Sequence, residues 1–184
     1  MEIVGLDISF KRTGICKMNL DNKILTIDKV EGEGGKSFRD IIKRVLIQSK
    51  TIISKIGLSK DTLYVIEEPF HGGSFSSGLF ALDAVVVNEI SKITDSLLFY
   101  HPTAIGFYHG TRDYSKTDTV KLAKDLLDVL KEDNWTIKVG RMSHDEADAT
   151  VYAVITYVLI YGNHLGSKIK ELVPKWDVIK YHKI

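Results

Sequence analysis

The sequence predicts a mixed α/β domain, a sheet with helices packed on it. Three observations carry this. Three apolar, strand-like segments come first. Helical and strand patterns then alternate, the order of an α/β sheet. The chain has 184 residues, 44% hydrophobic and 27% charged, which suits one domain with a full core rather than a disordered chain.

The elements follow in order. Residues 2–9, EIVGLDIS, hold Ile3, Val4, Leu6 and Ile8 and read as a central strand buried on both faces. Thr13 to Leu20 and Ile24 to Val30 read as two more strands, with Asp21-Asn22-Lys23 as the hairpin turn between them. EGEGGK, residues 31–36, is a loop. Ser37 to Ile56 is the clearest helix: Phe38, Ile41, Ile42, Val45, Leu46, Ile52, Ile53 and Ile56 are spaced as one stripe, Ser37 can cap the start and Gly57 can end it.

Leu63 to Glu67 is a short strand stopped by Pro69, and HGGSFSS, residues 71–77, is a small-residue loop. Gly78 to Ile93 reads as a second helix and Leu97 to Tyr100 as a fifth strand. A third helix spans about Thr117 to Lys131. Trp135 to Val139 fits a short strand or an extended connection, and Ser143 to Tyr161 is the last strong helix, closed by Gly162. This divides the chain into a domain over residues 1–162 and a basic tail over 163–184, where five lysines face Glu171 and Asp177. The tail fits a DNA contact, a dimer brace or a solvated extension equally well.

Composition bounds the function. A net charge of +1 neither advertises nor excludes a nucleic-acid partner. The single cysteine, Cys16, excludes an internal disulfide and a multi-cysteine zinc site. The first apolar stretch carries Asp7, unlike a signal peptide, and no run of about 18 apolar residues is free of charge. The expected setting is reducing and cytoplasmic, with no membrane partner.

Three places put carboxylates at apolar boundaries. Asp7 interrupts the first strand, where burial is costly unless the charge is paired or binds a metal. Singly, it fits a strand-end aspartate bonded to a loop just as well. Glu67 and Glu68 end the fourth strand, and only one of them shares a face with its inward residues. Asp145, Glu146 and Asp148 open the last helix. Ser143 and Glu146 fit a capping box, whereas Asp148 sits among Ala147, Ala149, Val151 and Tyr152 without such a reason. Clustered carboxylates raise one another's pKa values, and divalent cations relieve the repulsion. Mg²⁺ prefers oxygen ligands, and two such ions can activate a water and stabilise the leaving oxygen of a phosphodiester.

These residues resemble a known family. GLDISFKRTG, from Gly5 to Gly14, is similar to the G-x-D-x-S-x-x-x-T-G opening of RuvC-type Holliday-junction resolvases. VIEEPF, from Val65 to Phe70, resembles the family's strand with its second acid, and HDEADATVYAV, from His144 to Val154, its closing D-x-A-D-A helix. HPTAIGFYHGTRDYSK, from His101 to Lys116, resembles its P-x-x-I segment and Gly-to-Lys loop. The order is the family's, over Met1 to about Gly162. In divergence the chain is closer to the small phage-encoded members than to the bacterial housekeeping enzymes, which would set it in a bacterial cell or in phage-infected host cytoplasm.

The resemblance implies an RNase H-like mixed five-stranded sheet flanked by helices, a homodimer, and four catalytic, metal-binding acids: Asp7, Glu67, Asp145 and Asp148. It implies two Mg²⁺ per site, with Mn²⁺ as a substitute. Glu67 is favoured over Glu68 because it directly follows the apolar strand. Phe70, three residues on, falls where the family carries an aromatic that stacks near the crossover; it also fits a core anchor. Phe75 is a second loop aromatic. Lys116 keeps the family's offset from Gly110 and is expected to contact DNA, with Arg112 beside it. Arg112 replaces a family glycine and Tyr114 a small residue, a departure in this loop. His144 fits a partly exposed helix-start histidine.

The implied activity is Mg²⁺-dependent, structure-selective endonuclease cleavage that resolves four-way junctions by paired phosphodiester hydrolysis. The alternative is a broader branched-DNA or flap nuclease, or a ribonuclease H, on the same fold. The opening motif also resembles the phosphate hairpin of sugar kinases and actin-like ATPases, which need a second lobe that 184 residues cannot supply. A catalytically dead junction-binding module would not need the complete acidic quartet.

Overall fold

The computed structural model of the protein describes residues 1–33, 37–68, 77–101, 115–162, 164–173 and 181–183. Strand β1 (Glu2–Asp7) pairs antiparallel with β2 (Arg12–Asn19), and β2 pairs antiparallel with β3 (Ile24–Glu31). Helix α1 (Phe38–Ile56) follows. Ser37 caps it, its hydroxyl accepting from the Asp40 backbone N–H while Asp40 accepts from the Ser37 backbone. Strand β4 (Thr62–Glu67) returns parallel to β1. Helix α2 (Ser77–Ser91) leads to β5 (Leu97–Tyr100), parallel to β4. Helix α3 (Lys116–Glu132), the short strand β6 (Thr136–Lys138), helix α4 (His144–Tyr161), helix α5 (Gly166–Leu172) and strand β7 (Tyr181–Lys183) complete the chain.

The sheet order is β6-β3-β2-β1-β4-β5-β7. The five expected strands form its centre, and a three-residue strand is added at each edge. β6 runs parallel to β3, and β7 antiparallel to β5. Strands that short carry too little period-two pattern to be told from a connection.

Alternation along β1 splits the core into two layers. Ile3 joins Cys16, Met18, Val65 and Tyr100 under α3, α4 and α5. Val4 and Leu6 join Ile15, Tyr64 and Ile66 under Val45, Ile52 and Ile56 of α1 and Leu82, Val86 and Ile90 of α2. Helix α4 lies between the sheet and the outer helices, so nearly every side chain from Glu146 to Val158 is buried and its pattern is apolar all round. Among the described residues, no helix is long and apolar enough to cross a membrane.

Two details differ from the sequence pattern. The stripe on α1 is not buried along its length: Phe38 is 80% and Leu46 51% exposed, and Ile42 is also exposed. The buried face runs instead through Val45, Gln48, Ser49, Ile52 and Ile56. Gln48 belongs there because its amide donates to the Ser9 carbonyl at 2.8 Å, bracing the β1–β2 turn. Past Gly162, Leu165, Ile169 and Val173 are buried in the α4-side core, a spacing of four that brings one face of α5 against α3 and α4.

Candidate metal centre

β1 and β4 are adjacent and parallel, so their final residues, Asp7 and Glu67, stand side by side at the carboxyl end of the sheet. Both point to the α4 layer, as Ile3 and Val65 do two or four residues earlier. Helix α4 starts over the same spot, and two glycines let it. A Cβ on Gly5 would lie 2.2 Å from the Ala149 carbonyl oxygen, and one on Gly14 would lie 2.0 Å from that of Asp145. Gly14 is also the cross-strand partner of Asp7. The opening motif's glycines are therefore the floor on which the acid-bearing turn of α4 rests.

Asp7, Glu67 and Asp148 each offer a carboxylate oxygen, and the three oxygens lie within 4.8 Å of one another. Asp145, the fourth expected acid, is not one of the three clustered here, but its charge raises the pKa of all three. Burial, then the charges of Glu67 and Asp148, hold the Asp7 carboxyl well above the usual range. Burial, then the Asp148 charge, pushes Glu67 up to about 8. Burial pushes Asp148 up to about 7, against a hydrogen bond from Thr119. The donor set is all carboxylate oxygen, crowded and short of cations, and it fits a hard divalent ion such as Mg²⁺.

Supporting contacts hold the acids. The Tyr152 hydroxyl donates to Glu67 Oε2 at 2.9 Å. The Tyr152 ring stacks on Tyr100, with centroids 5.0 Å apart, and the Tyr100 hydroxyl shares a 2.8 Å hydrogen bond with Thr156. A buried phenol fixed at its ring and at its oxygen fixes the carboxylate it touches. At the site's edge, His144 Nε2 lies 3.1 Å from Lys116 Nζ and 3.1 Å from Asp145 Oδ1. Unprotonated at Nε2, the ring accepts from Lys116; protonated there, it donates to Asp145. Lys116 also lowers the pKa of Asp148, so its charge reaches the cluster.

The neighbouring acids have other duties. Glu146 is buried and accepts from the Ser143 backbone N–H at 2.9 Å and from the Ser143 hydroxyl, a helix cap. Glu68 lies beyond the end of β4, its N–H bonded to the Tyr100 carbonyl at 2.8 Å, and is not one of the three clustered acids. Phe70, Phe75, Arg112 and Tyr114 lie outside the described residues. Sequence reasoning missed Tyr152 and Thr119. Tyr152 follows Asp148 by one helical turn, a signal that was available.

No family model matches the sequence, and none of the curated proteins matches it. Solved structures do. The chain is similar to RuvC from Thermus thermophilus, at 12% identity and a TM-score of 0.56, over 88% of this chain and 97% of that one. The T. thermophilus RuvC solved in complex with a Holliday junction substrate gives the same identity and coverage and a TM-score of 0.51. The yeast mitochondrial Holliday junction resolvase Ydc2 is 14% identical, with a TM-score of 0.51 over 90% of this chain and 83% of that one. The protein has a RuvC-like fold, a mixed α/β sheet flanked by helices.

Proposed function

We propose that the protein is a divalent-cation-dependent endonuclease that resolves four-way DNA junctions by paired phosphodiester hydrolysis. The observation that carries this is the convergence of Asp7, Glu67 and Asp148, from β1, β4 and α4, within 4.8 Å on a RuvC-like fold. The RuvC relative was solved with a Holliday junction, which supports branched DNA as the substrate class.

In this reading Asp7, Glu67, Asp145 and Asp148 hold Mg²⁺, two ions per site, with Mn²⁺ able to replace it. When bound, the ions supply the Lewis-acid charge that activates water and stabilises the leaving oxygen. Tyr152 orients Glu67 through its hydroxyl. Lys116 stands exposed at the edge and contacts a DNA phosphate, and Arg112 supplies a second such contact. Phe70 stacks on bases opened at the crossover. Residues 1–162 form the nuclease domain, to which the basic segment 163–184 is appended. A homodimer matches the approximate two-fold symmetry of a junction and sets two equal sites on opposed strands.

The test is cleavage of a labelled, mobile four-way junction with Mg²⁺, beside linear duplex, a flap and an RNA–DNA hybrid. Paired symmetric nicks on the junction are expected. Comparable cutting of flaps or hybrids would replace the resolvase with a broader nuclease on the same fold. Tight junction binding without any cutting would leave a binding module.

A further inference from the structure

A groove of about 450 Å³ lies between helix α3 and residues 137–142, the segment that runs from β6 to the start of α4. Its lining includes Lys124, Lys131 and Arg141 against Asp128, a balance of 3 − 1 = +2 in a chain whose total is +1. Lys131 pairs with Asp128 at 2.7 Å. Lys124, on the α3 wall, and Arg141, on the opposite wall, are both exposed. Neither has an ion-pair partner among the described residues. Val139, 43% exposed, and half-buried Met142 give the same groove apolar surface.

The two walls converge on the candidate metal centre. One wall, α3, begins at Lys116, and the other leads into α4 at His144. There Lys116 Nζ lies 3.1 Å from His144 Nε2. Lys124 follows Lys116 by eight residues, about 12 Å along a helix that rises about 1.5 Å per residue. Arg141 precedes Asp145 by four residues, at most about 14 Å of extended chain. A lone surface cation is ordinary. Cations on facing walls of a concave surface focus their field on whatever enters it, and favour an anion. A hydrated inorganic anion would make no use of Val139 and Met142. A sugar–phosphate chain would use both the charge and the apolar surface.

We propose that this groove carries the backbone of one DNA strand away from the metal centre, with Lys124 and Arg141 each on a phosphate and Val139 against a sugar. The inference rests on the proposed nuclease reading and adds a strand path, with two contacts that the resemblance does not supply. Contacts of this kind fix the register of the strand and carry no base sequence. They extend the track that Lys116 starts at the edge of the acids.

The experiment is binding of a labelled four-way junction to the full chain, read by fluorescence anisotropy over a range of salt and without divalent ion, so that no strand is cut. Wild type is compared with the double variant Lys124→Gln/Arg141→Gln. The control is Lys43→Gln/Lys50→Gln, which removes the same charge from exposed positions on α1, in the opposite layer. Two lost phosphate contacts should lower the slope of log affinity against log salt by about 1.4–1.8. Over the decade of salt below 1 M that is about 25–60-fold weaker binding at 0.1 M. The control should keep the wild-type slope. A reading that needs no variant is acetylation of the wild type, followed by mass spectrometry: bound junction should protect Lys124 and leave Lys50 reactive. A wild-type slope in the groove variant, equal losses in both variants, or an unprotected Lys124 in the bound complex would overturn the groove and leave the nuclease reading standing. A wild type that binds no junction would overturn both.

Discussion

Replacing Gly14 by alanine is the sharpest test of how this fold builds its site. The new Cβ would lie 2.0 Å from the Asp145 carbonyl oxygen, 2.3 Å from its carbon and 2.7 Å from the Glu146 nitrogen. All three are backbone atoms, so no side chain can swing aside. Ordinary contact begins at 3.4 Å, so the strand and the helix start must separate by 3.4 − 2.0, about 1.4 Å. The backbone of Gly14 does not have the positive φ that would itself resist alanine. Strain of this kind costs about 1–3 kcal/mol, below the roughly 5–15 kcal/mol that holds a domain together, so the variant should fold. The same shift carries Asp145 and Asp148 away from Asp7, and a misplacement of about 1 Å can cost about 100-fold in rate. The expected result is a modest drop in melting temperature with a junction-cleavage rate about 100-fold lower. Gly140→Ala, where a Cβ meets nothing within 4 Å, is the control and should behave as wild type. A folded Gly14→Ala protein that cleaves at the wild-type rate would refute the claim that this contact sets the acids' spacing.

Other perturbations separate the roles. Asp7→Asn should abolish cleavage and leave junction binding intact in a gel-shift assay, since it removes a metal ligand and one negative charge; joint loss of binding and fold would make Asp7 structural. Tyr152→Phe removes the donor to Glu67, a hydrogen bond to a carboxylate worth about 1.5–3 kcal/mol, and should weaken Mn²⁺ binding in calorimetry by about 10–100-fold. Phe70→Ala should slow cleavage of intact junctions more than of pre-opened ones, and equal slowing on both would reject the wedge. Metal-free stability should fall as pH rises. Glu67 ordinarily titrates at 4.5 and is raised to about 8, and Asp148 moves from 3.8 to about 7. The folded state therefore binds more protons than the unfolded one between about pH 4 and 8, which makes the slope negative. Thermal melts without metal across that range check this, and a flat or rising profile would contradict it.

Much of this was legible in the sequence because the signals are local. Strand and helix periods place β1 to β5 and the four long helices, and Asp7, Glu67 and Asp148 stand out as acids at apolar boundaries. Of the edge strands, β6 falls where the sequence fits a short strand or a connection, and β7 was not legible, since three residues cannot show a period. The exposed start of α1 was not legible either: its stripe gives the spacing of Phe38, Ile42 and Leu46 but not how far the sheet extends beneath them.

The glycines show why the acids alone do not define the site. Asp145 and Asp148 share a helix face by sequence, but that face could have met the sheet at any distance. Gly5 and Gly14 remove two side chains where α4 crosses β1 and β2, and the helix backbone settles into the space. The acids are then closer than their charges favour, and the fold holds them there through burial of nearly all of α4. Repulsion among Asp7, Glu67 and Asp148 is thus a cost carried by the metal-free protein, and one that the proposed dication would relieve.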